Sequence, residues 1–125
     1  MDGEPKTASE AATTCVVDEE WLGRVAVVSA SGVMDMLTAP QVEQHLRAVI
    51  DKQPAALLID LTNVEFLASA GMRVLVETHD TVASAMPFGV VANGPATSRP
   101  LELVGITELI KLYPTREEAL SALNA

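Results

Sequence analysis

The sequence predicts one α/β domain, a mixed and mostly parallel sheet of about five strands with four helices packed against it, in the order ββαβαβαβα. Three observations predict it. Strand-like and helix-like stretches alternate along the chain, the pattern of parallel strands joined by right-handed crossover helices. The run Ala56-Leu57-Leu58-Ile59 is too short for a helix and apolar enough for a strand covered on both faces. Met72, Leu75, Val76, His79, Val82 and Met86 then recur at intervals of three and four, the period of an amphipathic helix.

Composition agrees. A chain of 125 residues suits one compact domain that buries roughly two-thirds of its unfolded surface. It is 49% hydrophobic but only 3% aromatic, so its core must be aliphatic. A net charge of −9 disfavours nucleic acid and anionic membrane and points to a basic protein partner. The single cysteine, Cys15, excludes an internal disulfide, fits a reducing cytosol, and is too little thiolate for a structural zinc site. Residues 1–13 lack the apolar core and basic flank of a signal peptide and read as a disordered tail; residues 14–125 form the domain. Thr81 to Ser98 is uncharged, but Pro87, Gly89, Gly94 and Pro95 interrupt it, so it is not read as a membrane span.

Each element has its own signal. Cys15-Val16-Val17 is a weak edge strand, and a turn over Asp18–Gly23 carries Trp21 and Leu22 onto one end of the core. Arg24–Ser31 is a β-branched strand, close enough to the first to form a hairpin. Thr38, with Gln41 three residues on, makes a capping-box pattern for a helix from Ala39 to about Lys52. That helix turns Val42, Leu46, Val49 and Ile50 inward, sets Glu43, Arg47 and Asp51 at i,i+4 spacing outside, and ends at Pro54. After the central strand and helix comes the strand Phe88–Ala92, then a break at Asn93-Gly94-Pro95. Ser98 is placed to cap a short helix with Leu101 and Val104 on its inner face, stopped at Gly105. Leu109–Tyr113 reads as a last strand, and Thr115 with Glu118 opens a final helix carrying Ala119, Leu120 and Leu123.

Most catalytic chemistries lack their parts. Ser69-Ala70-Gly71 is similar to a hydrolase nucleophile elbow, but Leu67 occupies the required glycine position and no suitable late histidine follows. Asp60 ends a strand as a receiver phosphoacceptor does, yet the acidic pair and the lysine beyond a late strand are missing, since Lys111 falls inside one. Asp60 is better read as an Asx-type turn with Thr62 and Asn63. His79 reads as a core histidine and His45 as solvated; there is no metal-ligand cluster, no phosphate loop and no cofactor motif. The stretch left over is DLTNVEFLASAG, a loop delivering Ala68-Ser69-Ala70-Gly71 to a helix N-terminus, with Ser69 as its N-cap.

That stretch resembles the central pattern of the STAS domain family of anti-sigma-factor antagonists, close to D-L-x-x-V-x-F-[IM]-D-S-[ST]-G-[LI]. Asp60, Leu61, Val64, Phe66, Ser69 and Gly71 match it, and Met72 is conservative. Gly32-Val33-Met34-Asp35 resembles the G-E-[LI]-D that precedes the family's first helix, and Leu101, Leu103, Gly105 and the final T-R-E-E-A-L resemble its closing helices. The resemblance implies a cytoplasmic bacterial regulator without enzymatic activity. Such a domain binds an anti-sigma factor, commonly a serine kinase, and so frees a sigma factor for transcription. In the family the kinase phosphorylates the hydroxyl residue just before the glycine, which releases the antagonist. Here Ala70 occupies that position and Ala68 replaces an aspartate, which leaves Ser69 as the one hydroxyl of the turn and the candidate for phosphorylation. Thr97 and Ser98 are further candidate control sites. The partner-binding residues expected from this resemblance are Asp35, Ser69, Ala70, Gly71, Met72 and Arg73. The alternative is a STAS module that senses a ligand or scaffolds a complex outside sigma regulation.

Overall fold

The structure, a computed structural model, describes residues 15–124, so the expected tail over residues 1–13 lies outside the described residues. One five-stranded sheet runs in the order β1-β2-β3-β4-β5. β1 (Cys15–Leu22) is antiparallel to β2 (Val25–Met34), and β3 (Ala56–Leu67), β4 (Phe88–Val91) and β5 (Leu112–Tyr113) follow in parallel. Helix α1 (Ala39–Ile50) joins β2 to β3, α2 (Ser69–Val82) joins β3 to β4, α3 (Ser98–Leu103) precedes β5, and α4 (Arg116–Asn124) closes the chain. The expected order ββαβαβαβα is the observed one, with one extra 3₁₀ turn at Ile106–Glu108.

Successive parallel strands lie side by side, and the connecting helices cover one face of the sheet. Val42, Leu46 and Val49 of α1, Val74, Leu75 and Val82 of α2, and Leu101 of α3 join Ala26, Val28, Leu57, Ile59, Leu61 and Val90 in one aliphatic core. The opposite face holds a smaller cluster, Val25, Val27, Ala56, Leu58 and Val91 beneath Ala119 of α4.

Several boundaries differ from the sequence expectation. β1 continues through the expected turn to Leu22, because each of its residues pairs with β2 across the Gly23 bend. Trp21 and Leu22 therefore lie in the strand, 37% and 38% exposed, rather than capping the core. β2 extends to Met34 and β3 to Leu67, so the expected loop after Asp60 is largely strand. Two register shifts, between Ser29 and Ser31 and between Gly32 and Val33, break the alternation of side chains there. In α2 the buried positions are Gly71, Val74, Leu75, Thr78 and Val82, with Met72, Val76 and His79 at the margin and Met86 beyond the helix. Thr78 can occupy the buried stripe because its hydroxyl donates to the Val74 carbonyl at 2.8 Å. His79 is half-buried beside Phe88, ring centroids 6.3 Å apart, and is not a core group. His45 is not simply solvated, since its Nε2 lies 3.5 Å from a Glu19 carboxylate oxygen.

Val104 is 59% exposed instead of facing inward, because α3 stops after Leu103 and only Leu101 reaches the core. The last strand shrinks to Leu112–Tyr113, with Lys111 just before it. Thr115 does cap α4: its Oγ1 accepts the Glu118 N–H at 3.1 Å. Cys15 is fully buried, and burial raises its thiol pKa despite a backbone hydrogen bond from Ser31.

Candidate functional site

β2 and β3 are parallel neighbours, so the chain leaves both at the same end of the sheet. The two exits are joined directly. The Ala68 N–H donates to the Met34 carbonyl at 2.9 Å, and Gly71 packs against the same residue. A Cβ on Gly71 would stand 2.9 Å from Met34 Cβ, 3.0 Å from its carbonyl oxygen and 2.8 Å from Leu67 Cδ1. Glycine at this position lets the first turn of α2 sit on the end of β2. The Asp35 loop and the Ala68–Arg73 turn are thereby held as one surface.

The loop after β2 is fixed by its own side chains. Asp35 Oδ1 accepts the N–H groups of Leu37 at 2.9 Å and Thr38 at 3.1 Å, an Asx turn. Thr38 Oγ1 donates to the Val33 carbonyl at 2.7 Å and accepts the Asp35 N–H at 2.9 Å. Thr38 stands at the N-cap of α1 but makes no side-chain cap bond there, because its hydroxyl is committed to the loop. Gln41 correspondingly forms no capping box; its amide donates to the Cys15 carbonyl at 2.9 Å and ties α1 to β1.

At the start of α2 the N-cap is Ala68, in extended backbone, and Ser69 is the first helical residue. The expected serine cap is absent: Ser69 is exposed, and one residue too late for its oxygen to meet the N–H groups of the first turn. Ala70 and Met72 are half-buried and pack on the core, Gly71 is buried, and Arg73 is exposed. Of the expected site residues, Ser69 and Arg73 therefore present their side chains outward, and Asp35 acts on its own loop. Met36, Ala68, Ser69, Ala70 and Arg73 line a shallow hollow of about 370 Å³. Met36, in this lining, and Leu37, next to it in the loop, are 76% and 70% exposed and add apolar surface that the sequence pattern does not mark. Their signal was two large apolar residues between Asp35 and Thr38, outside the helical period. A second hollow of about 490 Å³, between α1 and α2 at Leu46, Ile50 and Glu77, shares no residue with the first.

Asp60 is in the Asx arrangement with Thr62, accepting its N–H at 2.9 Å and its hydroxyl, but without Asn63. Its other oxygen accepts from Arg116 Nε at 3.1 Å. That guanidinium also donates to Ser29 Oγ at 3.0 Å and Glu20 Oε1 at 2.8 Å, and the carboxylates of Glu20 and Asp60 raise its pKa further. Asp60 is thus the anchor of α4 and not an open phosphoacceptor. Thr97 is buried, and Ser98 is not a cap: its hydroxyl accepts the Gly94 N–H at 2.8 Å and holds that turn. Thr97 is inaccessible as a control site in this conformation.

Comparison with known proteins agrees with this architecture. The family model for the STAS domain matches residues 18–119. The chain is 37% identical over 118 residues to the anti-sigma-F factor antagonist RsfB of Mycobacterium tuberculosis, covering 94% of each chain. A crystal structure of an anti-sigma factor antagonist from Mycobacterium paratuberculosis superposes with a TM-score of 0.87 at 45% identity, over 90% of this chain and 96% of that one. The unphosphorylated anti-sigma factor antagonist SpoIIAA shares the fold, with a TM-score of 0.70 at 17% identity over 87% and 96% of the chains.

Proposed function

The chain belongs to the STAS domain family, and from that premise we propose that it is an anti-sigma-factor antagonist, a binding protein and not an enzyme. It binds an anti-sigma factor of the serine-kinase type in the cytoplasm and so frees a sigma factor. The observation that carries this reading is the end-to-end likeness, 37% identity over 94% of both chains, to a protein named for that activity. The geometry supports the place of contact: the Asp35 loop and the Ser69–Arg73 turn form one stiff surface with exposed apolar residues. Nothing beside Ser69 prepares it as a nucleophile, for it makes no hydrogen bond to a base among the described residues.

Ala70 stands where the resemblance puts the phosphoacceptor, and a methyl group accepts no phosphate. The chain therefore binds whenever it is present, with control through its expression or through Ser69. A preformed complex of an anti-sigma factor with its sigma factor, followed by size-exclusion chromatography, tests this. The anti-sigma-F factor of Mycobacterium tuberculosis is the first probe. Added in excess, the chain should join the anti-sigma factor and leave the sigma factor free. A complex left intact, with this and other anti-sigma factors, would sink the antagonist reading and favour the scaffolding or ligand-sensing alternative.

A further inference from the structure

Charge at the hollow runs against charge over the whole chain. The net charge is −9, yet the one charged residue among the five that line the hollow is Arg73. Among the described residues Arg73, like Arg24, Arg99 and Lys111, forms no ion pair, whereas Arg47, Lys52 and Arg116 each do; of the unpaired cations Arg73 is the one that lines this hollow. Glu77, one helical turn along α2, lines the other hollow and leaves Arg73 unpaired. Asp35, the nearest carboxylate along the adjoining loop, has Oδ1 committed to the N–H groups of Leu37 and Thr38. Met36, 76% exposed, lines the same hollow as Arg73, together with Ala68 and Ala70.

We propose that this hollow is a socket for an acidic and apolar segment of a protein partner: an aliphatic side chain seats against Met36, Ala68 and Ala70, and a carboxylate pairs with Arg73. The proposal deepens the antagonist reading and rests on it for the identity of the partner, but not for the chemistry of the socket. It also reverses, at this spot, the expectation of a basic partner drawn from net charge. Long-range charge sets encounter rates, whereas contact at the turn is decided by the groups on it. A guanidinium is planar and weakly hydrated, and its fork matches a carboxylate in two parallel hydrogen bonds. The Asx turn and the Thr38 bridge hold the backbone around Met36 in place before binding, which lowers the backbone entropy lost on contact. A kinase partner satisfies the same rule with a glutamate or aspartate beside a leucine, isoleucine or valine.

The test uses the whole chain and a peptide pair, acetyl-Glu-Leu-Leu-Glu-amide and its lysine counterpart, titrated by amide-detected NMR. The acidic peptide should shift the signals of Met36, Leu37 and Ser69–Arg73, and the lysine peptide should leave them unmoved. Arg73→Glu should weaken the acidic peptide by roughly tenfold or more, Arg73→Lys by only a few-fold, and Met36→Ala should weaken it without changing the charge preference. Equal shifts from both peptides, or no loss on Arg73→Glu, would overturn the socket. The anti-sigma experiment fails separately: an acidic peptide that binds through Arg73, beside an undisturbed anti-sigma complex, removes the antagonist reading and keeps the socket.

Discussion

On one face of the sheet, α1, α2 and α3 press Val42, Leu46, Val49, Val74, Leu75, Val82 and Leu101 into a continuous aliphatic layer. On the other, α4 brings Ala119, with Leu120 and Leu123 at the margin, and one guanidinium. Arg116 spans three strands there, from Glu20 on β1 through Ser29 on β2 to Asp60 on β3. The first face is held by non-directional burial, proportional to area and without charges for salt to screen. The second adds a directional clasp, because a short terminal helix has too little apolar area to fix its own angle. The Ala68–Arg73 turn, the proposed contact, starts from the well-buried side, where Gly71 locks α2 onto Met34. A binding surface gains from that placement, since the turn moves only if the large core moves.

The largest expected effect breaks the aliphatic layer. Leu75 is fully buried in the middle of α2, and Leu75→Ala should cost about 2–5 kcal/mol in denaturant unfolding. A loss below about half a kcal/mol would show that the layer is not continuous at that point. The clasp should matter less. Arg116→Ala leaves the buried Asp60 with Thr62 as its remaining partner, at a cost of about 1–3 kcal/mol, discounted because Arg116 is partly exposed. Unlike the leucine effect, this one should shrink as Arg116→Ala is compared with wild type at rising salt. Equal costs at low and high salt would remove the electrostatic account of the second face.

Gly71→Ala sharpens the comparison at the turn. Alanine favours a helix by about 1 kcal/mol over glycine, but here its methyl group would meet Met34 Cβ and Leu67 within 3.0 Å. Overpacking of that kind costs about 1–3 kcal/mol, so the net change should be a modest destabilisation with altered signals at Met34 and Met36. A stabilised variant would mean that the loop and turn are not pressed together.

A smaller effect is expected in acid. The Glu19 carboxylate accepts from the Lys52 ammonium at 2.7 Å and the Trp21 indole N–H at 2.6 Å, and these bonds, chiefly the lysine, hold its pKa below the ordinary 4.5. A depressed folded pKa contributes stability above the unfolded value that is lost as pH falls through the folded one. Unfolding midpoints measured below pH 4.5 should therefore drop less steeply in Glu19→Gln than in wild type. Parallel acid limbs would assign the loss to other carboxylates.

How much of this was legible in the sequence depended on whether periodicity survived locally. The run from Ala56 to Ile59 pairs in regular register with β2 and β4, and it announced itself. The continuation to Leu67 did not, because the shifts opposite Ser31 and Val33 scramble the alternation that marks a strand. The face of α2 was misphased because Thr78, polar by composition, is buried through a bond to its own helix. The Arg116–Asp60 clasp joins residues 56 positions apart, and no local pattern encodes such a pair. Motif likeness marks the strand–helix junction at Ala68–Gly71, where α2 does begin, yet it carries no information on which side chains face outward. The exposure of Met36 and Leu37 is therefore visible only in the structure.

The smallest expected effect separates a structural serine from a functional one. From the sequence alone Ser69 is the expected N-cap of α2, a role worth roughly 1 kcal/mol. The structure gives the N-cap to Ala68 and leaves the Ser69 side chain exposed, with no cap bond. A hydroxyl that meets only water contributes almost nothing to folding, and alanine is the better helix former by a few tenths of a kcal/mol. Ser69→Ala should therefore change the unfolding free energy by less than about half a kcal/mol, and in the stabilising direction. A loss near 1 kcal/mol would restore the capping role. Because Ser69 lines the hollow, a phosphate on it would stand at the proposed socket, within a helical turn of Arg73. It would compete there with an incoming carboxylate. Incubation of the wild-type chain with a kinase-type anti-sigma factor and ATP, read by intact mass, decides whether this occurs. An unmodified mass leaves binding constitutive, and an adduct mapped to Ser69 with loss of binding makes that exposed serine the switch that Ala70 cannot be.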